Sequence, residues 1–250
     1  MKVSIITTSF NSASTIKDTI DSVLSQDYKN LEYIIADGGS NDGTVDILKS
    51  YEDPRIRWIS EPDKGIYDGM NKGIQLATGE VVGILNSDDF YKNDSVISAV
   101  VNGFSDNHTE AVFGDVRFVN PDNLTRTVRY YSSKRFTPGK FRFGFMPAHP
   151  TFFTKKKWFD KLGYYQTDYK IAADYELLIR FLYKHKLPYK YLPLDMIVMR
   201  TGGASTKSLK SNYILNKEIV RGCKENGITT FMWLLTFKYF IKVFELIKKY

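Results

Sequence analysis

Three short apolar runs, each stopping at a polar cluster, constrain this chain more than any other feature. Residues 3–9 are rich in β-branched side chains and end at Asn11-Ser12; residues 31–36 end at Asp37-Gly38-Gly39-Ser40; residues 81–85 end at Asn86-Ser87-Asp88-Asp89. Helical spacing fills the intervals. Over 14–26 the apolar positions Ile16, Ile20, Val23 and Leu24 recur at i, i+4, i+7 and i+8. A second helix is expected over 44–51, a short strand at 55–59, and a third helix from the loop Glu61-Pro62-Asp63-Lys64-Gly65 through about Ala77. Strands alternating with helices need right-handed crossovers and predict an α/β fold with a mostly parallel sheet. In such a sheet the residues just past the strand C-termini face the ligand crevice. Here those tips carry Thr7, Ser9, Asn11, Asp37, Asp88 and Asp89.

Beyond about residue 110 the rhythm changes. Strand-like pieces at 111–119 and 126–131 precede an aromatic, basic stretch at 132–148, and a helix is expected from near Asp174 to Lys184. No internal repeat or low-complexity tract interrupts the chain, so the expectation is one domain plus a helical tail. A length of 250 residues is ample for one sizeable core. A single cysteine, Cys223, excludes a disulfide framework and a cysteine-rich zinc site, and suits a reducing compartment. The opening residues enter a strand directly, with no signal-peptide pattern, and no uncharged apolar run reaches the roughly 20 residues of a membrane span. A cytoplasmic location is expected.

The net charge of +7 is unevenly spread: residues 1–124 hold 10 Lys and Arg against 20 Asp and Glu, whereas 125–250 hold 25 against 8. A uniformly basic chain would suggest nucleic acid. An acidic half joined to a basic half suggests instead a carboxylate site for metal and phosphate beside a surface that meets anions, and no nucleic-acid partner is expected.

Each polar cluster has two readings. Asp88 and Asp89 repel one another unless a cation or hydrogen-bond donors compensate. Oxygen donors without nearby Cys or His select Mg²⁺ or Mn²⁺, while a solvated turn or helix cap explains the same residues. Asp37 at a second-strand tip suits a ribose or a plain turn. A dinucleotide fingerprint is excluded, since the first turn, Thr8-Ser9-Phe10-Asn11-Ser12, lacks its glycines. In Asp63-Lys64-Gly65-Ile66-Tyr67-Asp68, Lys64 suits a phosphate and Asp68 a base or sugar, or both belong to the wet face of a helix. Ala172-Ala173-Asp174-Tyr175-Glu176 sets two acids at a helix start, either as dipole stabilisers or as a general base.

Taken together and in order, these elements resemble glycosyltransferase family 2. The matching pieces are the opening strand 3–11, Asp37-Gly38-Gly39-Ser40 with Asp42-Gly43-Thr44, Glu61 to Asp68 with Asn71-Lys72-Gly73, Gly79-Glu80, Asn86-Ser87-Asp88-Asp89, and Ala172 to Glu176. The resemblance covers about residues 1–200. It implies the GT-A fold, a Rossmann-like, mostly parallel mixed sheet flanked by helices, with a C-terminal helical tail. It implies a catalytic domain over 1–205, in which residues 1–110 bind nucleotide and residues 111–205 meet the acceptor, followed by amphipathic helices over 206–250. It further implies an inverting, metal-dependent hexosyltransferase using a nucleotide-sugar donor, UDP-linked by expectation. The implied roles are Asp174 as catalytic base; Thr7, Ser9, Asn11, Asp37, Lys64, Asp68 and Asp88 for the nucleotide; Asp89 and Asp88 for Mn²⁺ or Mg²⁺; and His149, Arg200 and Glu176 toward diphosphate or acceptor. Asn86 stands where many members have Asp, which leaves open which of the two acids ligates the metal.

Residues 230–250 place Lys238, Lys242, Glu245 and Lys249 on one face of an aromatic and aliphatic helix. A basic amphipathic helix of this kind suits a membrane interface, and equally a partner protein. The expectation is peripheral attachment to the inner face of the cell membrane, with a lipid-pyrophosphate-linked glycan as acceptor in surface polysaccharide or O-antigen synthesis. Competing readings are a protein or small-molecule acceptor, a sugar nucleotidyltransferase, which would normally want a glycine-rich basic loop after the first strand, and a basic adaptor, which leaves the strand-tip carboxylates unexplained.

Overall fold

The computed structural model describes residues 1–202 and 209–236. Four parallel strands form its first half: β1 (Val3–Ser9), β2 (Leu31–Asp37), β3 (Ile56–Ser60) and β4 (Val81–Ile84). β1 lies between β2 and β4, with Ser9 level with Asp37 and Ile6 level with Ile84. Both faces of β1 and β2 are buried throughout, so these strands read as continuous apolar runs and not as alternation.

Helices cover the two faces. α1 (Ile16–Leu24) buries Ile16, Ile20 and Val23 on the side that takes Val3, Ile5, Tyr33 and Ile35. α2 (Thr44–Lys49) adds Leu48 to that side. α3 (Ile66–Leu76) buries Tyr67, Met70 and Ile74 against Ile6 and Ile34 on the other. Gly73 sets how closely α3 approaches: a Cβ there would stand 2.3 Å from the Ile6 side chain.

The second half extends the sheet with mixed directions. After the two-residue β5 (Phe90–Tyr91) and α4 (Val96–Gly103) come β6 (Ala111–Asn120), β7 (Asn123–Tyr131), β8 (Phe153–Lys155) and β9 (Tyr189–Arg200). The order across the sheet is β3-β2-β1-β4-β8-β6-β9-β5, with β7 pairing β6. β8 runs antiparallel to both β4 and β6, whereas β6 and β9 are parallel. This is the mixed, helix-flanked sheet expected.

Five elements were not foreseen: β5, α4, α5 (Lys157–Leu162), β8 and β9. The single helix expected over 174–184 is instead α6 (Ala173–Leu178) followed by a π-helical stretch, Ile179–Lys184. Within that stretch Arg180 donates to the carbonyls of Leu162, Gly163 and Tyr164 and pairs with Glu176. α7 (Leu209–Glu225) packs on α6, and its Ile219 and Cys223 join the same apolar core as Tyr175 and Leu178. The stripe Lys238, Lys242, Glu245 and Lys249, and positions 203–206 of the loop after Arg200, lie outside the described residues.

At the end of the sheet away from the strand tips, Glu32 is buried and accepts from Lys2, Ser4, Thr78 and Gly79. Burial opposes its ionisation, but the donors, led by Lys2 and Ser4, win and hold its carboxyl down to about 2.

Candidate active site

The C-terminal tips of β2, β1 and β4, the start of α3 and the start of α6 surround one cleft, joined by a chain of contacts. Asp37 lies at the tip of β2, buried, with its oxygens accepting from the Gly39 and Ser40 amides at 3.1 and 2.9 Å and from the Ser40 and Ser60 hydroxyls. This holds the loop after β2 open beside Asp63. At Gly38 a Cβ would come 2.6 Å from Asp63 Oδ2, so a larger residue there would displace the Asp63 carboxylate. Asp63 Oδ2 also borders Gly69 of α3, where Thr8 is the other neighbour. On the far side of β1, the Ser12 and Ser87 hydroxyls meet at 2.8 Å and tie the β1 turn to the β4 turn.

At the β4 turn, the two adjacent acids are not equivalent. Asp88 is partly exposed, whereas Asp89 is 1% exposed. Asn86 donates to Asp89 Oδ2 at 3.2 Å, and Asp89 Oδ1 has no partner. Burial first, and then the charge of Asp88, push the Asp89 carboxyl well up. Arg200, at the end of β9, donates to the Asp88 carbonyl and pairs with Asp18. Its charge sits against the acid pair from behind.

Thr8 Oγ1, Ser9 Oγ and Asn86 Oδ1 are likewise buried without partners. Buried polar atoms are normally paired, so four orphaned oxygens at two adjacent strand tips mark a place built to be completed by a polar ligand. No group of three or more His, Cys, Asp or Glu able to enclose a metal occurs among the described residues. The oxygen donors Asp88 and Asp89 nonetheless fit a hard divalent cation that takes its remaining ligands from a phosphate.

Asp174 opens α6. Its Oδ1 accepts from the Tyr175 amide at 2.8 Å and lies 3.5 Å from the Tyr67 hydroxyl, which itself donates to the Ile171 carbonyl. The residue as a whole is half-buried. Burial pushes its carboxyl up, opposed by His149 and the Tyr175 amide. Tyr67 stacks on Tyr165 at 5.8 Å, and Tyr165 shares a 2.7 Å hydrogen bond with His149 Nε2. His149 is 6% exposed and burial lowers its pKa, so at neutral pH it is an uncharged wall beneath the carboxylate.

The loop before Asp174 is held from α7. Glu218 accepts from the Lys170, Ile171 and Ala172 amides at 2.8, 2.9 and 2.9 Å. Three donors aimed at one carboxylate fix the backbone leading into Asp174.

Of the residues expected from sequence, Ser9, Asn11, Asp37, Asp88 and Asp89 lie at the tips of β1, β2 and β4, and Asp174 and His149 lie near one another beside Tyr67 of α3. Asn11 adopts φ +50° and is laced to the β2 turn through Ser40 and Asn41. Lys64 is exposed at the α3 end, its amide donating to Asp68, whose carboxylate lies 3.7 Å from Lys72. Two expectations are corrected. Thr7 is fully buried on the α1 side, two residues short of the strand tip, and its hydroxyl accepts from Tyr33. Glu176 does not face the cleft: it is paired with Arg180 and bonded by Asn226. Two residues along a helix rotate a side chain by about 200°, which turns Glu176 away from Asp174.

Sequence reasoning passed over Phe10, Asp63, Tyr67, Tyr165 and Glu218. Phe10 is 64% exposed one residue past β1. A bulky aromatic in a strand-tip turn was the available signal; Tyr165 and Glu218 carried none.

Known proteins share the sequence pattern and the fold. The family model described as Glycosyl transferase family 2 matches residues 4–171. A glycosyltransferase of Mycobacterium tuberculosis is 35% identical over 182 residues, covering 71% of this chain and 68% of that protein. Among solved structures, S. aureus TarS 1–349 in complex with UDP-GlcNAc superposes with a TM-score of 0.69 at 16% identity, covering 92% of this chain and 68% of that one. Against the longer TarS chain the coverage is 41% of that chain. The mannosyltransferase PcManGT from Pyrobaculum calidifontis, in complex with GDP-Man and Mn²⁺, gives 0.65 at 19% identity, covering 90% and 63%. At these identities the structural likeness establishes the fold.

Proposed function

Because the chain belongs to glycosyl transferase family 2, we propose that the cleft transfers a sugar, with inversion, from a UDP-linked donor to a hydroxyl of a lipid-linked glycan in surface polysaccharide synthesis. The observation that supports the reading is the set of orphaned oxygens beside Asp88 and Asp89 at the β1 and β4 tips, with Asp174 at the start of α6 linked through Tyr67 to α3 on the same sheet. The TarS and PcManGT complexes hold nucleotide sugars on the same fold, which supports a nucleotide-sugar donor.

In this reading Asp37, fixed by four donors, faces the base, and the exposed Phe10 ring offers it a stacking surface. Ser9, Asn11, Lys64 and Asp68 complete the nucleotide side. Asp88 and Asp89 would hold Mn²⁺ or Mg²⁺, which when bound offsets the charge of the diphosphate. Arg200 backs that pair. Asp174 accepts the proton of the acceptor hydroxyl as its oxygen attacks the anomeric carbon opposite the departing diphosphate. The C–O bond to the new acceptor forms, the C–O bond to phosphate breaks, and the bonding pair leaves on the diphosphate. His149 and Tyr165 hold the floor beneath the carboxylate. The basic C-terminal half, including the tail over 206–250, docks the enzyme on the cytoplasmic membrane surface, where such an acceptor resides.

A screen of nucleotide sugars with Mn²⁺, read as donor hydrolysis and thermal shift, tests the reading. Asp89→Ala is expected to weaken nucleotide binding in the presence of Mn²⁺, and Asp174→Asn to abolish turnover with binding intact. Full turnover in both variants would remove the cleft from the chemistry.

A further inference from the structure

Residues 231–236 form a projecting turn at the C-terminal end of the described chain. Phe231, Met232 and Trp233 are 51%, 42% and 63% exposed in succession, and the Phe231 and Trp233 rings lie parallel with centroids 6.3 Å apart. The turn is not loose. Leu234 and Leu235 behind it are buried, and Thr230 donates to the Arg142 carbonyl. A firmly anchored tip that offers three large apolar side chains to water is costly unless something covers it.

Its surroundings say what. The 3₁₀ turn Pro138–Phe143 packs beside the tip and carries Lys140 and Arg142. Next to that turn opens a groove of about 720 Å³ whose walls combine Leu182, Leu187 and Pro188 with Lys184 and Lys186. Neither 132–148 nor 226–236 contains a single Asp or Glu. An apolar point flanked by cations, with no acid in either of these two stretches, is complementary to a bilayer carrying anionic headgroups.

We infer that Phe231, Met232 and Trp233 insert into an anionic phospholipid surface, with Lys140, Arg142, Lys184 and Lys186 meeting the headgroups. The inference rests on the membrane-surface aspect of the proposed function and is independent of its donor chemistry. It assigns attachment to a structured tip within the folded domain, in addition to whatever the following residues contribute.

The full chain is sedimented with vesicles of phosphatidylcholine containing phosphatidylglycerol, and with phosphatidylcholine alone. Binding to the anionic vesicles is expected, reduced about tenfold in F231S/W233S and about fivefold by each of K140Q and R142Q. The emission of Trp233, taken as the difference between the chain and its W233F variant, is expected to shift to the blue and to be quenched by brominated lipid. Undiminished binding of F231S/W233S, or no change in Trp233 emission on vesicles that bind the chain, overturns the inference. A shift that follows protein concentration without vesicles, with a dimer in the ultracentrifuge, assigns the tip to a second copy and also overturns it. Donor hydrolysis stays unchanged in F231S/W233S, so a failed membrane result and a failed donor reading are told apart.

Discussion

Asp174, the proposed base, shows why a residue placed for chemistry is poorly placed for stability. Burial raises its carboxyl above the ordinary 3.8, so ionisation is less favourable in the folded chain than in the unfolded one. Carrying the ionised form at neutral pH therefore costs stability. Two outcomes follow for Asp174→Asn: turnover falls by about 10²–10⁴-fold, while the melting temperature at pH 7 rises, since the neutral isostere removes that cost. In the native chain, kcat should fall on acidification through a pKa above 3.8. Glu32 has the opposite sign. Its folded value of about 2 lies below the ordinary 4.5, so its contribution is complete above pH 4.5 and drains away as pH falls toward 2. Glu32→Gln is expected to cost about 2–3 kcal/mol in denaturant unfolding at pH 7 and to flatten the acid limb of stability without changing donor binding.

Among elements, α7 has the least obvious role. Its Glu218 collects the amides of residues 170–172, and its Arg221 pairs with Asp168 in the same loop. Glu218→Ala leaves those amides to water and is expected to lower kcat about tenfold or more, through misplacement of Asp174. UDP affinity should remain unchanged, and Glu218→Gln, which keeps one acceptor oxygen, should recover some of the rate. In β4, Gly83 lies against the Phe153 ring, where a Cβ would come within 2.2 Å. Gly83→Ala should therefore destabilise the chain by about 1–3 kcal/mol, measured by chemical unfolding. The first-half elements were legible because strands buried on both faces leave unbroken apolar runs, and α1 and α3 keep a helical stripe. β9 was not: it contains Pro193 and exposes residues irregularly, so neither alternation nor an apolar run marks it. The site was legible at its strand tips, where position alone dictates the crevice. It was illegible wherever orientation decides, as for Thr7, Glu176 and the buried member of the Asp88–Asp89 pair. Glu218 lies 44 positions beyond Asp174 and is joined to it through backbone amides, which no local pattern records.

For the whole molecule, donor binding should appear as stability. A ligand held only by the folded state adds about 2.7 kcal/mol at a hundred times its dissociation constant. UDP with Mn²⁺ is thus expected to raise the melting temperature by about 5–10 °C for a chain of this size. The Mn²⁺-dependent portion of that rise should vanish in Asp88→Asn/Asp89→Asn. The acidic first half and basic second half also separate two salt responses, since nucleotide capture is short-ranged and vesicle attachment is screened. The grip of Glu218 on residues 170–172 bears on how this chain can be shortened. Trimming from the C-terminus down to residue 236 removes none of the described secondary-structure elements, but a cut that reaches past residue 218 takes away the acceptor beneath the base. Activity under progressive deletion should then fall in a step and not along a slope, with the step set by where a single carboxylate stops being synthesised.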